Sequence, residues 1–345
     1  MNNHAYVWNG LKVSFLIIGT TIGAGFASGR EIWEFFTSYG TGSSIYVLLS
    51  MLLFSISCYI IMSISHELKA PHYVHVLEAL IGKTLGRVYD VLIFFYLLST
   101  TVVMFAGSGA TLQYWSISYW VGVALISVLV WLVFLRNVEV MISLNSILIP
   151  IMIMTLMLVC GLFIWGGFGE RAEVSAGEQI FPSAIAFTAL NILPLIAVLS
   201  AIGSRMQAKE IKVASIGSAV GLCSIALLYN ESLLNLGNEI MLYEVPLFAI
   251  LRYFSDELMI GVTFILWLAI FTTAISGMFG LVTRFKSQER PQWLTAAFFI
   301  LCIIPLTVFG FTNLIKVLYP LYGVLNLFIL MTILLYPLAK QRKMR

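Results

Sequence analysis

Ten stretches of mostly apolar residues follow one another along the chain, and each is long enough to cross a bilayer. A helix that spans the hydrocarbon core needs about 20 such residues, and its backbone must satisfy its own hydrogen bonds. Hydrophobic residues make up 60% of the sequence and charged residues only 10%, so a water-soluble fold is excluded. The sequence therefore predicts an all-α integral membrane protein with about ten spans. The predicted spans are 8–37, 43–65, 86–107, 118–135, 140–165, 182–203, 211–229, 258–283, 292–310 and 312–338.

The chain has no pattern typical of an enzyme or of a nucleic-acid-binding protein. Its net charge of +3 comes from residues scattered over loops, which gives no basic face. The four cysteines lie in apolar segments without metal-ligand spacing, and no glycine-lysine loop for a nucleotide is present. We expect a protein that is not an enzyme and needs no cofactor. Its expected partners are a small solute and the lipid bilayer, and the sequence identifies no protein partner.

The positions of lysine and arginine predict how the chain lies in the membrane. With the N-terminus inside, fifteen of the 19 lysine and arginine residues fall on the cytoplasmic side and four on the outer side. Cytoplasmic loops of membrane proteins carry such an excess. The bias predicts a multi-pass protein of the bacterial inner membrane with both termini in the cytoplasm.

The two halves of the chain have nearly the same length. The first five spans occupy 8–165, and the last five occupy 182–338. Because five is an odd number, the second half would have the opposite orientation, as in the inverted repeats of secondary transporters. The sequence predicts one transmembrane domain, residues 1–345, that is built from these two repeats.

The first span of each half contains residues that interrupt a helix. Span one has four glycines between Gly19 and Gly29, and each costs up to about 1 kcal/mol relative to alanine in a helix interior. Span six has Pro194, which cannot donate a hydrogen bond to the carbonyl of Leu190. We therefore predict that helices one and six are broken. Paired breaks indicate a transporter's binding site, although small residues also serve close helix packing.

The span count, the two interruptions and the string from Gly23 to Glu31, GAGFASGRE, together carry a family resemblance. The chain resembles the amino acid–polyamine–organocation transporter superfamily and, within it, the YkvI-like bacterial membrane proteins. The resemblance implies the five-plus-five inverted-repeat fold of the bacterial leucine transporter LeuT. It also implies secondary active transport by alternating access.

Sodium-coupled members of this superfamily hold one Na⁺ between the break in helix one and helix eight. The ligands are carbonyls of helix one, a carbonyl of helix eight, and two adjacent hydroxyls in an A-x-x-[ST]-[ST] pattern. Ala269, Thr272 and Thr273 match this pattern. Gly19 and Ile22 fall where the helix-one carbonyls would lie. The resemblance thus implies Na⁺ as a coupling ion, while the threonines could instead bond only to their own helix.

The resemblance also implies where the solute binds. Amides just after the break in helix one would bind an anionic group, and carbonyls of helix six would face an amino group. An aromatic residue of helix three often joins them, and Tyr96 is either that residue or an ordinary membrane tyrosine. The predicted solute-binding residues are Thr20, Thr21, Gly23, Ala24, Gly25, Tyr96, Phe187, Thr188 and Asn191.

Three charged residues, Arg30, Glu31 and Glu34, lie in the outer half of span one. A charge within a bilayer is costly, so such groups usually face a cavity or a partner. Arg30 and Glu34 are four residues apart and can pair on one helix face. We interpret this pair either as an outer gate or as an interfacial ion pair near the helix end.

These observations predict a secondary active transporter. Its solute would be an amino acid or a related zwitterion, with Na⁺ as the coupling ion. Two alternatives stay open. One is a ligand-sensing membrane receptor of the germinant-receptor type, and the other is a proton-coupled or exchange-driven porter.

Overall fold

The computed structural model describes residues 5–69, 73–135, 138–169, 180–285 and 291–343, and these form helices joined by short turns. No strand occurs in these ranges. The helices are α1 (Ala5–Thr21), α2 (Ala24–Ala27), α3 (Arg30–Phe35), α4 (Ser43–Leu68), α5 (Tyr73–Tyr114), α6 (Tyr119–Leu135), α7 (Val138–Trp165), α8 (Ile180–Gly203), α9 (Ala208–Leu234), α10 (Pro246–Leu251), α11 (Asp256–Arg284), α12 (Gln292–Leu306), α13 (Phe311–Leu325) and α14 (Leu327–Lys343).

The helices confirm an all-α membrane protein with about ten spans. Within the described residues, eight helical stretches are long and apolar enough to cross a membrane, and α6 is a shorter apolar helix. The remaining span is divided among α1, α2 and α3, so no piece of it reaches full length alone. Each predicted span overlaps one or more of these helices. The last span is divided at Asn326 into α13 and α14, where the sequence predicts one helix.

The third span begins earlier than predicted because a short helix precedes it without a gap. Gly82 has a positive φ of 77° within α5, and this non-helical residue separates the two parts. The part before Gly82 buries Val76 and Leu77 while most of its other residues are half-buried or exposed. The sequence of 71–83 predicts a short amphipathic helix at this place, and residues 71 and 72 lie outside the described ranges.

Helix six is continuous, so the prediction that it is broken is wrong. Pro194 lies inside α8, which runs from Ile180 to Gly203. Because proline has no N–H, the carbonyl of Leu190 loses its helical partner. That loss is a single hydrogen bond, and membrane helices tolerate it where neighbouring helices pack around them. Here α4 and α13 pack along α8.

Helix α9 holds the first span in place. The Ser14 hydroxyl donates to the carbonyl oxygen of Ala214 at 3.1 Å. A Cβ atom at Gly217 would lie 2.5 Å from the Ser14 Oγ, and one at Gly221 would lie 2.6 Å from the Ile18 Cδ1. These two glycines therefore allow α1 and α9 to approach more closely than larger residues would.

The turn between α2 and α3 depends on a glycine in the left-handed region. Gly29 has φ 80° and ψ −5°. A Cβ atom there would lie 2.6 Å from the Tyr229 hydroxyl oxygen and 2.8 Å from its ring carbon Cζ. That hydroxyl donates to the carbonyl of Ala27 at 3.0 Å, so the ring cannot move away without loss of a buried hydrogen bond.

We expect Gly29→Ala to lower the free energy of unfolding by about 1–3 kcal/mol, because it adds backbone strain and a steric clash. The measurement is the midpoint of thermal unfolding of the purified protein in detergent. Gly42→Ala is the matched control, since Gly42 has φ −78° and open space around its Cα. Equal midpoints for the two variants would contradict the prediction.

Candidate solute and cation sites

The interruption of helix one lies where the sequence predicts it. Helix α1 ends at Thr21, and the amide of Gly23 donates to the carbonyl of Thr21 at 2.9 Å. Gly23 is extended, with φ −86° and ψ −177°, and α2 begins at the next residue. The amides of Ala24 and Gly25 precede the first hydrogen bonds within α2 and are therefore not used by that helix. All four residues of α2 are buried.

Glu31 folds back against this interruption. A Cβ atom at Gly25 would lie 2.2 Å from the Glu31 Oε1 and 3.1 Å from the Tyr319 hydroxyl oxygen. The Glu31 carboxyl group also lies close to the backbone amide of Phe26. Only 6% of Glu31 is exposed. Gly25 is thus a glycine because a carboxylate and a tyrosine hydroxyl occupy the space of its side chain.

Tyrosines from α5 and α13 surround this carboxylate. Tyr96 and Tyr319 lie close to Glu31, and the Tyr319 hydroxyl shares the space beside Gly25 with the carboxylate. The rings of Tyr96 and Tyr322 meet edge to face, with 5.4 Å between their centroids. The Tyr322 hydroxyl is hydrogen-bonded to Ser99 at 2.9 Å. Tyr96, which the resemblance assigns to the solute site, therefore lies beside helix one.

Sequence reasoning places Glu31 in the outer half of span one but does not assign it to this site. Its position within a membrane span could have identified it, because ionisable residues inside spans usually belong to functional sites.

The predicted residues of helix six are bonded differently from expectation. Because α8 is continuous, Phe187 and Thr188 lie within a regular helix. Pro194 has no N–H, so the carbonyl that loses its helical partner is that of Leu190. The Asn191 side-chain amide donates to the carbonyl of Phe187 at 3.0 Å. The carbonyls expected to face an amino group are therefore not freed by a break.

Thr188 and Phe187 make contacts within the bundle. The Thr188 hydroxyl is 2.9 Å from the Ser50 hydroxyl on α4. The Phe187 ring packs edge to face on Phe35 and Phe36, at 5.5 and 5.0 Å between centroids. These contacts join α8 to α4 and to the end of the first span.

The residues predicted to bind Na⁺ lie on helices that meet near the interruption. Helix α11 packs against α2 and α7. The buried Thr272 hydroxyl donates to the carbonyl of Ala269 at 3.2 Å, and Thr273 is half-buried. A hydroxyl that donates to a carbonyl still has lone pairs for a cation. On α1, Gly19 packs against Ile149 of α7, and Ile22 is buried.

Thr20 and Thr21 bond only to their own helix in the described contacts. Their hydroxyls donate to the carbonyls of Leu16 and Ile17 at 2.8 and 2.9 Å. Among the described residues, no group of three or more histidine, cysteine, aspartate or glutamate side chains could hold a metal ion.

Arg30 and Glu34 form a buried ion pair above the interruption. The Arg30 Nη2 is 2.9 Å from the Glu34 Oε1, and the two side chains are 7% and 12% exposed. Glu244 attracts Arg30, and Lys316 attracts Glu34. The Arg30 Nε has no hydrogen-bond partner within the described residues. The pairing predicted from the four-residue spacing is present, and its role as a gate stays a prediction.

The segment after α9 is attached to the same part of helix one. The amide of Leu247, in the first turn of α10, donates to the carbonyl of Ser28 at 3.0 Å. Every residue of α10 is buried. On its other side the Phe248 ring stacks on Tyr114, with 4.1 Å between centroids. Helix α10 therefore covers the turn between α2 and α3.

Two proteins of Bacillus subtilis strain 168 are similar to the chain over almost its full length. The uncharacterized protein YyaD is 40% identical over 337 residues, which are 97% of this chain and 98% of YyaD. The uncharacterized membrane protein YkvI is 28% identical over 328 residues, with 92% of each chain covered. The chain belongs to the YkvI-like family of bacterial membrane proteins. No protein-family profile matches it.

Solved structures show that this YkvI-like protein has a LeuT-like fold. The Eremococcus coleocola manganese transporter superposes with a TM-score of 0.62 at 13% identity, covering 97% of this chain and 80% of its own. The inward-facing conformation of Mhp1 gives a TM-score of 0.54 at 12% identity, covering 94% and 75%. These neighbours are transporters and not enzymes, and at such low identity they establish the fold alone.

We expect Glu34→Gln to destabilise this YkvI-like protein by about 3 kcal/mol, because it leaves the buried Arg30 without its nearest counter-charge. Thermal unfolding of the purified protein is the measurement. The double variant Arg30→Met/Glu34→Met should recover most of the loss, since it removes both buried charges.

The control for this prediction is Glu67→Gln, which breaks the exposed ion pair with Lys340. Exposed pairs contribute about 1 kcal/mol or less, so this variant should unfold close to the wild-type midpoint. If Glu34→Gln and Glu67→Gln unfolded at the same temperature, the buried pair would not stabilise the fold as predicted.

Proposed function

We propose that the protein is a secondary active transporter of a small solute that carries an amino group. The observation that carries the proposal is the interruption of helix one, which exposes unused amides inside a helical bundle. Buried polar side chains from α3, α5 and α13 surround that interruption. A membrane protein that served only as a scaffold would have no use for such a costly arrangement in lipid.

The solute class that the sequence predicts is an amino acid or a related zwitterion. In this proposal the amides of Ala24 and Gly25, the Glu31 carboxylate and the ring of Tyr96 form the solute site. One structural neighbour is a manganese transporter, but we do not propose manganese as the substrate of this chain. A manganese site needs several carboxylate, histidine or thiol ligands, and the described residues offer no such group.

Na⁺ is the proposed coupling ion. Its ligands would be the hydroxyls of Thr272 and Thr273 together with carbonyls of Gly19, Ile22 and Ala269. Oxygen ligands of this kind suit a hard alkali cation. A bound ion that favours one orientation of the site would link solute movement to the sodium gradient.

We also propose that the protein lies in the bacterial inner membrane with both termini in the cytoplasm. The excess of lysine and arginine on one side supports this orientation. The Arg30–Glu34 pair then lies on the outer side of the solute site, where it would act as a gate.

A sodium titration tests the proposal without knowledge of the solute. The purified protein is titrated with NaCl against KCl and choline chloride at constant ionic strength, and its unfolding temperature is recorded. We expect a saturable rise with Na⁺ alone, because an ion that binds only the folded state stabilises it. Thr273→Ala should abolish the rise.

Thr283→Ala is the matched control, because Thr283 lies on the same helix, is exposed, and bonds only to its own helix. It should respond to Na⁺ like the wild type. Uptake of a labelled amino-acid mixture into proteoliposomes then distinguishes the alternatives. Tight binding without flux would favour a receptor, and flux driven by pH or by exchange without Na⁺ would favour the other porter mechanism.

A further inference from the structure

Glu31 has a buried carboxyl group without a cationic partner in the described part of the chain. Its neighbour Arg30 is paired with Glu34, 2.9 Å away. No described lysine or arginine lies within ion-pair distance of Glu31, which is 6% exposed. A buried carboxylate without a counter-charge is expensive to keep in a folded protein.

The groups around Glu31 favour a positively charged ligand. The Tyr319 hydroxyl and the carboxylate both lie against Gly25. Tyr96 and Tyr319 lie close to Glu31, and Tyr322 extends the cluster through its edge-to-face contact with Tyr96. A carboxylate beside aromatic rings is the arrangement that binds ammonium groups, by charge and by cation–π attraction.

The position of Glu31 also affects what else can bind there. Its carboxylate fills the space next to Gly25, one of the two residues whose amides are proposed to bind the solute. A zwitterionic solute would have to place its own carboxylate in that same space. Two carboxylates in that space would repel each other.

We propose that Glu31 determines the solute class, and that the solute is a cationic amine without a carboxylate next to its ammonium group. The ammonium group binds the Glu31 carboxylate and lies among the rings of Tyr96 and Tyr319. This inference rests on the proposed transport of a solute with an amino group, and it replaces the zwitterion by a cation within that class. In this proposal the protein supplies, through Glu31, the carboxylate that a zwitterionic solute would carry itself.

The test compares amino acids with their amides. Alanine, leucine, phenylalanine and lysine are each paired with the corresponding amide, which keeps the side chain and the ammonium group but lacks the carboxylate. The unfolding temperature of the full-length protein is measured with each compound in detergent. We expect at least one amide to raise the temperature in a saturable way and to exceed its parent amino acid.

Glu31→Gln is the decisive variant. It keeps the shape of the side chain, so it should fold, and without ligand it should unfold at or above the wild-type temperature because no described ion pair is lost. It should not respond to the amides. Glu31→Asp, which keeps the charge on a shorter side chain, should respond more weakly than the wild type. Glu67→Gln, on the exposed surface of α4, should respond fully.

Several results would overturn the inference. These are a free amino acid that stabilises the protein more than its amide, a Glu31→Gln variant that keeps the amide response, and the absence of any amide response in the wild type. The proposed function has a separate outcome. If an amino acid binds equally well to Glu31→Gln, the transporter proposal stands and only the inference fails.

Discussion

The backbone of the interrupted first helix is the constraint on which the rest of the structure depends. In lipid, unpaired amides and carbonyls cost several kcal/mol each, so an interruption persists only where protein covers it. Here two carbonyls at the interruption have partners from distant helices. The Ala27 carbonyl accepts from Tyr229 on α9, and the Ser28 carbonyl accepts from the Leu247 amide on α10. These hydrogen bonds, together with apolar packing, position α9 and α10 against the first span.

The sequence was sufficient for features that depend on composition and local spacing. The number of spans follows from their length and hydropathy, because a bilayer has a fixed thickness. The interruption at Gly23 follows from the density of glycines, and the Arg30–Glu34 pair follows from the four-residue spacing on α3. Each of these properties is set by residues that are neighbours in the chain.

Features that depend on long-range packing could not be predicted in this way. Pro194 indicates a break by its own chemistry, but α4 and α13 support α8 on either side and the helix continues. Glu31 is six residues from Gly25, which on a continuous helix of 3.6 residues per turn would place them on different faces. The left-handed turn at Gly29 brings them together, and its fit depends on Tyr229, some two hundred residues away.

The close attachment of helix one to α9 has a mechanical consequence. Ser14 and Ile18 on one side of the interruption, and Ala27 on the other, all contact α9. Helix one therefore cannot tilt without carrying α9 with it. The opposite face of α9 presents Ile216 and Val220, 59% and 60% exposed, to the lipid. Lateral pressure and bilayer thickness thus act on a helix that is attached to both sides of the interruption. In the proposed transport cycle, the surrounding lipid would contribute to the free energy of each orientation of the proposed solute site.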